Sequence, residues 1–162
     1  MAGTTTNYGW TYPTSTDLVK DGATAIQTAV QGVDTSMAGK PKSSATYTAN
    51  GTLTTSYASY ITINLTTSTR PVYVGFSATY TNANSGGNKT ASIRAQLGGV
   101  TIGNEITGLF SPYVAGTGTS YTSSHAFIVT PTAGAQTFTL QVLASAAGSV
   151  TLPAAQLVVF EI

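Results

Sequence analysis

The chain has few side chains that could do acid, base or nucleophilic chemistry. It contains one histidine, His125, and no cysteine. A hydrolase triad needs a histidine that is held by a carboxylate and lies within reach of a nucleophile, but the chain neighbours of His125 are Ser124 and Ala126. Strand alternation puts His125 on the same face as Tyr121 and Phe127. This pattern favours a histidine packed in the fold or at an interface over a catalytic one.

The acidic residues are too dispersed for the sites that carboxylates usually build. A glycosidase needs two opposed carboxylates at a defined separation, and a divalent metal needs clustered oxygen ligands or histidines. Only Glu105 and Glu161 lie in the part of the chain that we predict to form strands. For Glu161 we expect a salt bridge with Arg94 or Arg70, or a place on a symmetry axis. The sequence therefore predicts no enzyme activity, no metal site and no cofactor.

Composition argues against several classes of partner. Charged residues make up 7% of the chain, and its formal net charge is +1, whereas roughly 25% of residues are charged in a typical soluble domain. The basic residues are scattered, so we expect no binding to nucleic acid, which needs clustered basic side chains. No run of about 18 apolar residues is present, and we expect no membrane insertion. The first residues lack the basic and apolar regions of a Sec signal, which predicts a protein made in the cytoplasm and not secreted by that route.

Residues 1–15 predict an extended arm with large aromatic side chains and no local core. The stretch NYGWTYP (7–13) contains the only tryptophan of the chain. Tryptophan and tyrosine often anchor interfaces, and a segment with so little apolar surface becomes ordered only on a partner. We therefore predict a docking arm, with a frayed terminus as the alternative. The predicted docking residues are Tyr8, Gly9, Trp10, Tyr12 and Pro13.

Residues 16–38 predict one α-helix with a narrow apolar seam. Thr16 can cap its start, and Asp17 lies in the first turn, where the helix dipole favours a negative charge. Apolar residues recur at alternating spacings of four and three, as in a heptad repeat. This seam consists of Val19, Ala23, Ile26, Val30, Val33 and Met37. Glycines weaken the helix, so it needs a partner; the strict seam favours other copies of the chain, and packing on its own strands is the alternative.

After a linker at 39–44, residues 45–162 predict an all-β domain of about eight strands. Threonine, a strand-favouring residue, is the most abundant type in the chain. Gly98 and Gly99 indicate a tight hairpin, and turn signals recur at the spacing of a sandwich or barrel. One face of the stretch 71–81 carries Val72, Val74, Phe76, Ala78 and Tyr80. The predicted strands are 45–49, 57–65, 71–81, 90–97, 100–106, 120–130, 136–144 and 155–162.

The strand segments resemble the eight-strand jelly roll of the tumour-necrosis-factor-like and complement-globular-head families, in the form found in phage structural proteins. The segments that carry the resemblance are RPVYVGFSATYT (70–81), ASIRAQLGGVTIG (91–103), AFIVTPTAGAQTFTLQVLAS (126–145) and AAQLVVFEI (154–162). The resemblance implies an antiparallel jelly-roll sandwich. Jelly rolls of this type usually pack as three copies around an axis, so it also implies a homotrimer, with the helix as a trimeric coiled coil.

The stretch YGWTYPTSTDLVKDGATAIQTAVQGVD (8–34) is similar to a leader on virion proteins of phages that infect actinobacteria. The resemblance implies a structural protein on the exterior of the capsid or tail, made in the host cytoplasm. We expect a trimeric capsid decoration protein whose arm binds the major capsid protein or a tail protein. The alternative is a minor tail or tail-fibre protein whose jelly-roll tip binds a host-surface receptor or glycan, with Tyr113 and Tyr121 as the contacts. The copy number per particle separates the two.

Overall fold

The computed structural model describes residues 3–4, 11–12, 19–38, 40–83, 89–110 and 118–162. The chain forms two compact units, Met1–Lys40 and Pro41–Ile162. In the first unit, the two-residue strands β1 (Gly3–Thr4) and β2 (Thr11–Tyr12) pair antiparallel, and one helix, α1, spans Val19–Ala38.

The second unit is a two-layer β-sandwich. Its strands are β3 (Lys42–Tyr47), β4 (Gly51–Thr52), β5 (Ala58–Thr67), β6 (Val72–Asn82), β7 (Lys89–Leu97), β8 (Val100–Phe110), β9 (Ser120–Val129), β10 (Gly134–Ala144) and β11 (Val150–Glu161). They form two antiparallel sheets with the orders β5-β10-β7-β8 and β3-β11-β6-β9, and the short β4 pairs with β11. Leaving β4 aside, the eight longer strands alternate between the sheets except at the β7-β8 hairpin, whose two strands share a sheet, and the first and last strands, β3 and β11, are adjacent. This is the strand order of a jelly roll. The predicted fold class, a mainly β jelly-roll sandwich preceded by one helix, is confirmed.

The core lies between the two sheets and is filled by alternate residues of their strands. The predicted inner face of β6, Val72, Val74, Phe76, Ala78 and Tyr80, is at most 4% exposed. From the other sheet, Phe138, Leu140 and Val142 of β10 are fully buried. Successive side chains of a strand point to opposite faces, so each strand contributes every second residue to this apolar layer.

The predicted hairpin between β7 and β8 is confirmed. Leu97 pairs with Val100, and the two residues between them, Gly98 and Gly99, have φ angles of 57° and 86°. A two-residue turn of this type needs positive φ at both central positions, which glycine adopts without a steric cost.

Two strands begin three or more residues earlier than the sequence pattern indicates. β3 starts at Lys42, inside the segment predicted as a linker, and pairs with the end of β11. Its inward-facing Ser43 is polar, so the apolar alternation starts only at Ala45. β11 starts at Val150 rather than at 155, and its pairing with β6 shifts register between Thr151 and Ala154. Pro153 lies in that irregular stretch, where it does not have to donate a ladder hydrogen bond.

Candidate assembly surfaces

The exposed face of α1 carries part of the predicted seam. Ile26 and Val30 are 57% and 61% exposed, Ala23 is also exposed, and Val33 is half-buried. Residues four apart lie on one face of a helix, so Ile26 and Val30 form a continuous apolar surface. Val19 and Met37 belong to α1, but their side chains lie outside the described part of the structure.

The arm, predicted as extended, is partly paired with itself. Gly3 lies opposite Tyr12, and Thr4 lies opposite Thr11. The Tyr12 ring lies so close to Gly3 that a Cβ atom there would be 2.7 Å from it, yet the side chain remains 44% exposed. The other predicted docking residues, Tyr8, Gly9, Trp10 and Pro13, lie outside the described residues, so the docking role stays a prediction.

The outward face of the β5-β10-β7-β8 sheet is polar and internally bonded. The Arg94 guanidinium lies 3.7 Å from the centroid of the Tyr57 ring. Its Nε and Nη2 donate to Oε1 of Gln141 at 3.0 and 2.9 Å. Burial and the nearby carboxylate of Glu105 raise the pKa of Tyr57 to about 12, although its buried hydroxyl makes no hydrogen bond of good geometry. These contacts hold Tyr57, the residue before β5, against the sheet.

Glu161 is bound by a serine rather than by an arginine. Glu161 is only 4% exposed. Its carboxylate accepts hydrogen bonds from the backbone N–H of Ser68, at 3.0 Å, and from the Ser68 hydroxyl. The Ser68 Oγ in turn accepts from the backbone N–H of Arg70 at 3.1 Å. A buried carboxylate needs such donors, because an unpaired charge out of water is costly. The expected arginine partner is therefore replaced by Ser68 on the turn after β5.

His125 packs among aromatic rings, as the alternation predicts. Its ring centroid lies 6.0 Å from that of Phe76 and 5.7 Å from that of Phe127. Tyr121, one of the two predicted glycan contacts, stacks on Tyr80 and is 43% exposed. Tyr113, the other, lies outside the described residues.

An apolar ridge, which the sequence analysis did not single out, crosses the outward face of the β3-β11-β6-β9 sheet. The ridge consists of Phe160, Tyr73 and Ile128, which are aligned on three neighbouring strands. The rings of Tyr73 and Phe160 stack with centroids 4.8 Å apart, and Ile128 is 59% exposed. Strand alternation could not identify it, because β6 and β11 carry apolar residues at both alternating positions.

A groove lies beside the ridge on the same face. Its floor is formed by Val158, Gly75 and Ala126, which are aligned on the same three strands. The open cavity has a volume of about 530 Å³, and its polar lining residues include Ser77, Ser124, His125 and Gln156. A Cβ atom on Gly75 would lie 2.8 Å from the Tyr73 ring, so a larger residue at this position would displace the ridge.

Other kinds of site are not found in the described part of the chain. Its histidine, aspartate and glutamate side chains form no group of three or more that could hold a metal ion. In the described part of the chain, no helix is long and apolar enough to cross a membrane.

Comparison with known proteins gives matches at the level of structure. No family model and no curated protein matches the chain. The crystal structure of an infectious bursal disease virus VP2 subviral particle matches with a TM-score of 0.52 and 13% identity, over 75% of this chain and 32% of that one. A second structure, of particles derived from infectious bursal virus, matches with a TM-score of 0.52 and 16% identity, over 75% of this chain and 31% of that one.

These observations define the chain as a protein with a jelly-roll sandwich. A viral particle protein contains a domain of the same fold. The chain spans about a third of the length of either matched structure. At these identities the similarity establishes the shared fold.

Proposed function

We propose that this protein is a non-enzymatic structural component of a virus particle. The observation that carries the proposal is the jelly-roll sandwich, which the chain shares with a protein that forms viral particles. The scarcity of residues for acid, base or nucleophilic chemistry supports the same conclusion, since the chain has one histidine and no cysteine. The similarity of residues 8–34 to a leader on phage virion proteins supports a bacteriophage particle. Within that particle, we propose a decoration protein on the exterior of the capsid.

The proposed decoration protein is a homotrimer held through α1. The exposed side chains of Ile26 and Val30 support this assembly, because a coiled coil would remove both from contact with water. Fully burying a side chain of this size contributes about 1.5–3 kcal/mol. Three copies around an axis would bury three such pairs and give the helix the partner that its glycines require.

In this proposal the N-terminal arm binds the particle, through the major capsid protein or a tail protein. Tyr12 supports the role as a large, partly exposed aromatic side chain outside the jelly roll. Three arms per trimer would strengthen binding through raised effective concentration.

Electron cryomicroscopy of particles with and without this protein tests the proposal. Density that disappears at regular positions over the capsid supports a decoration role. Density that disappears from the tail instead supports the minor tail or fibre alternative, and binding of its jelly roll to host-surface glycans would then be measured. If the protein is absent from purified particles, the proposed function is wrong.

A further inference from the structure

We infer that the outward face of the β5-β10-β7-β8 sheet carries a binding site for a neutral carbohydrate, centred on Arg94 and Glu105. The other members of the site are Tyr57, Gln141 and Ser59. The inference goes beyond the proposed function, which assigns no ligand to this sheet, and it applies equally to a decoration protein and to a tail protein.

The backbone is irregular on both sides of one row of this sheet. Ser59, Gln141 and Arg94 are aligned on β5, β10 and β7. The register with β5 shifts beside Gln141, and β8 places residues 103–105 opposite the single residue Arg94. Extra residues of this kind are frequent beside functional sites, where they redirect side chains. Here the bulge of β8 presents the exposed Glu105 beside the row.

The side chains of this row hold one another in place. Gln141 Oε1 accepts from two nitrogens of Arg94, and Gln141 Nε2 donates to the Ser59 hydroxyl at 3.2 Å. The centroid of the Tyr57 ring lies 3.7 Å from the guanidinium carbon of Arg94. A group that is already ordered loses less conformational entropy when it binds a ligand. These contacts therefore preorganise the guanidinium for binding.

Hydrogen-bonding groups remain available beside this network. Arginine has more N–H donors than its two bonds to Gln141 use, and the others have no protein acceptor among the described residues. The Glu105 carboxylate lies near the Tyr57 hydroxyl without a hydrogen bond of good geometry, and within the described ranges no ion pair joins it to Arg94. A donor group and an acceptor group that are not paired with each other fit neighbouring sugar hydroxyls, since a hydroxyl both donates and accepts.

The neighbouring row extends this polar surface. Thr62, Thr139 and Gln96 are aligned on β5, β10 and β7, and in the described structure their side chains form no hydrogen bonds with one another. In the row beyond them, by contrast, the Thr137 hydroxyl donates to Oδ1 of Asn64 at 2.9 Å. A sugar chain bound at the first row can therefore extend along the sheet over hydroxyl and amide groups that its own hydroxyls would bond.

The charges of the site select a neutral ligand. An anion would be attracted by Arg94 but repelled by the nearby carboxylate of Glu105, and a cation would meet the reverse. Nucleic acid needs clustered basic side chains, whereas Lys89 is the only other basic residue in the described strands of this sheet. An apolar partner would leave the polar groups without hydrogen bonds. Sugar hydroxyls can bond to both charged groups, and hydrogen bonds to charged groups are the strong ones.

Titration of the full chain with sugars, followed by NMR, tests the inference. The neutral probes are the methyl glycosides of glucose, galactose, mannose and N-acetylglucosamine, and methyl glucuronide is the charged match of the glucose probe. With at least one neutral probe we expect saturable shifts of the Arg94 Nε–H and the Gln141 side-chain amide signals. The affinity should be roughly millimolar, since a single sugar ring makes few contacts. Methyl glucuronide should bind more weakly than methyl glucoside.

Two variants at exposed residues of the same sheet provide the second measurement. Glu105→Ala removes a charged acceptor and should weaken binding of the neutral probe about tenfold or more, whereas Thr66→Ala should leave the affinity unchanged. Equal affinities of the two variants would overturn the inference. So would the absence of saturable shifts up to about 100 mM, where even a weak site is occupied. Stronger binding of methyl glucuronide overturns the neutral ligand, and shifts confined to β9 around Tyr121 assign sugar binding to the other sheet and overturn the site.

These outcomes are distinct from those that test the proposed function. A protein that is present on particles and binds none of the probes loses this site and keeps its structural role. A protein that binds sugar at Arg94 and is absent from particles keeps the site and loses the proposed role.

Discussion

Gly103 shows how a single residue fixes the approach of the two sheets at one side of the sandwich. It lies on β8 with a φ of 66°, and a Cβ atom there would be 2.7 Å from the ring of Phe127 on β9. In Gly103→Ala, an L-residue would have to adopt an unfavourable left-handed backbone conformation. Its Cβ atom would also overpack against Phe127. We expect the free energy of unfolding to fall by about 2–4 kcal/mol, measured by denaturant titration.

Gly98→Ala is the matched control for this prediction. Gly98 has a similar φ of 57°, but no atom lies within 4 Å of its Cβ position. Its substitution should therefore cost only the backbone term, about 1–2 kcal/mol. Equal losses in the two variants would show that the approach of Phe127 does not constrain Gly103.

Among the elements, the sequence predicts those strands in which one face is apolar and the other polar. β10 and the inner face of β6 follow this pattern and are found where alternation places them. The beginning of β3 does not, because Ser43 occupies an inward position, and the beginning of β11 is obscured by Pro153. The ridge was missed for the opposite reason: Tyr73 and Phe160 are apolar residues on strands whose buried positions are also apolar.

Self-association through α1 can be tested at one exposed residue of the seam. Ile26→Asp would bring carboxylates of neighbouring copies together in a coiled coil, where like charges removed from water cost several kcal/mol. We expect the mass measured by light scattering to fall from trimer toward monomer. Gln27→Asp adds the same charge at the adjacent exposed residue and should leave the mass unchanged. If the two variants have the same mass as wild type, α1 does not hold the trimer.

At the scale of the whole molecule, the division into two units predicts that the jelly roll folds without the first 40 residues. Pro41–Ile162 contains every buried core residue in the described part of the chain, and the Pro41 carbonyl accepts from the Glu161 N–H at 2.9 Å. We expect fragment 41–162 to unfold cooperatively in denaturant. A fragment without a cooperative transition would show that the jelly roll depends on the preceding unit.

Fragment 45–162 is the control that tests the earlier start of β3. It lacks Lys42, Ser43 and Ser44, which pair with the end of β11. Each backbone hydrogen bond contributes about 0.5–1.5 kcal/mol net, so losing a few should lower its stability by roughly 1–4 kcal/mol relative to 41–162. Equal stability would mean that these paired residues contribute nothing to the fold.

Attachment to a particle involves the whole molecule. The docking hypothesis predicts that attachment depends on arm residues that folding does not need. Trp10 lies outside the described residues and outside the jelly-roll unit, so Trp10→Ala should leave the melting temperature and the trimer mass unchanged. A tryptophan that anchors an interface contributes about 2 kcal/mol or more, and three arms on one trimer multiply the loss through avidity. We therefore expect strongly reduced binding of Trp10→Ala to particles that lack their own copy, measured as bound protein per particle. Trp10→Phe, which keeps a large apolar ring, should retain more binding, whereas full decoration by Trp10→Ala would show that the arm does not use its tryptophan to dock.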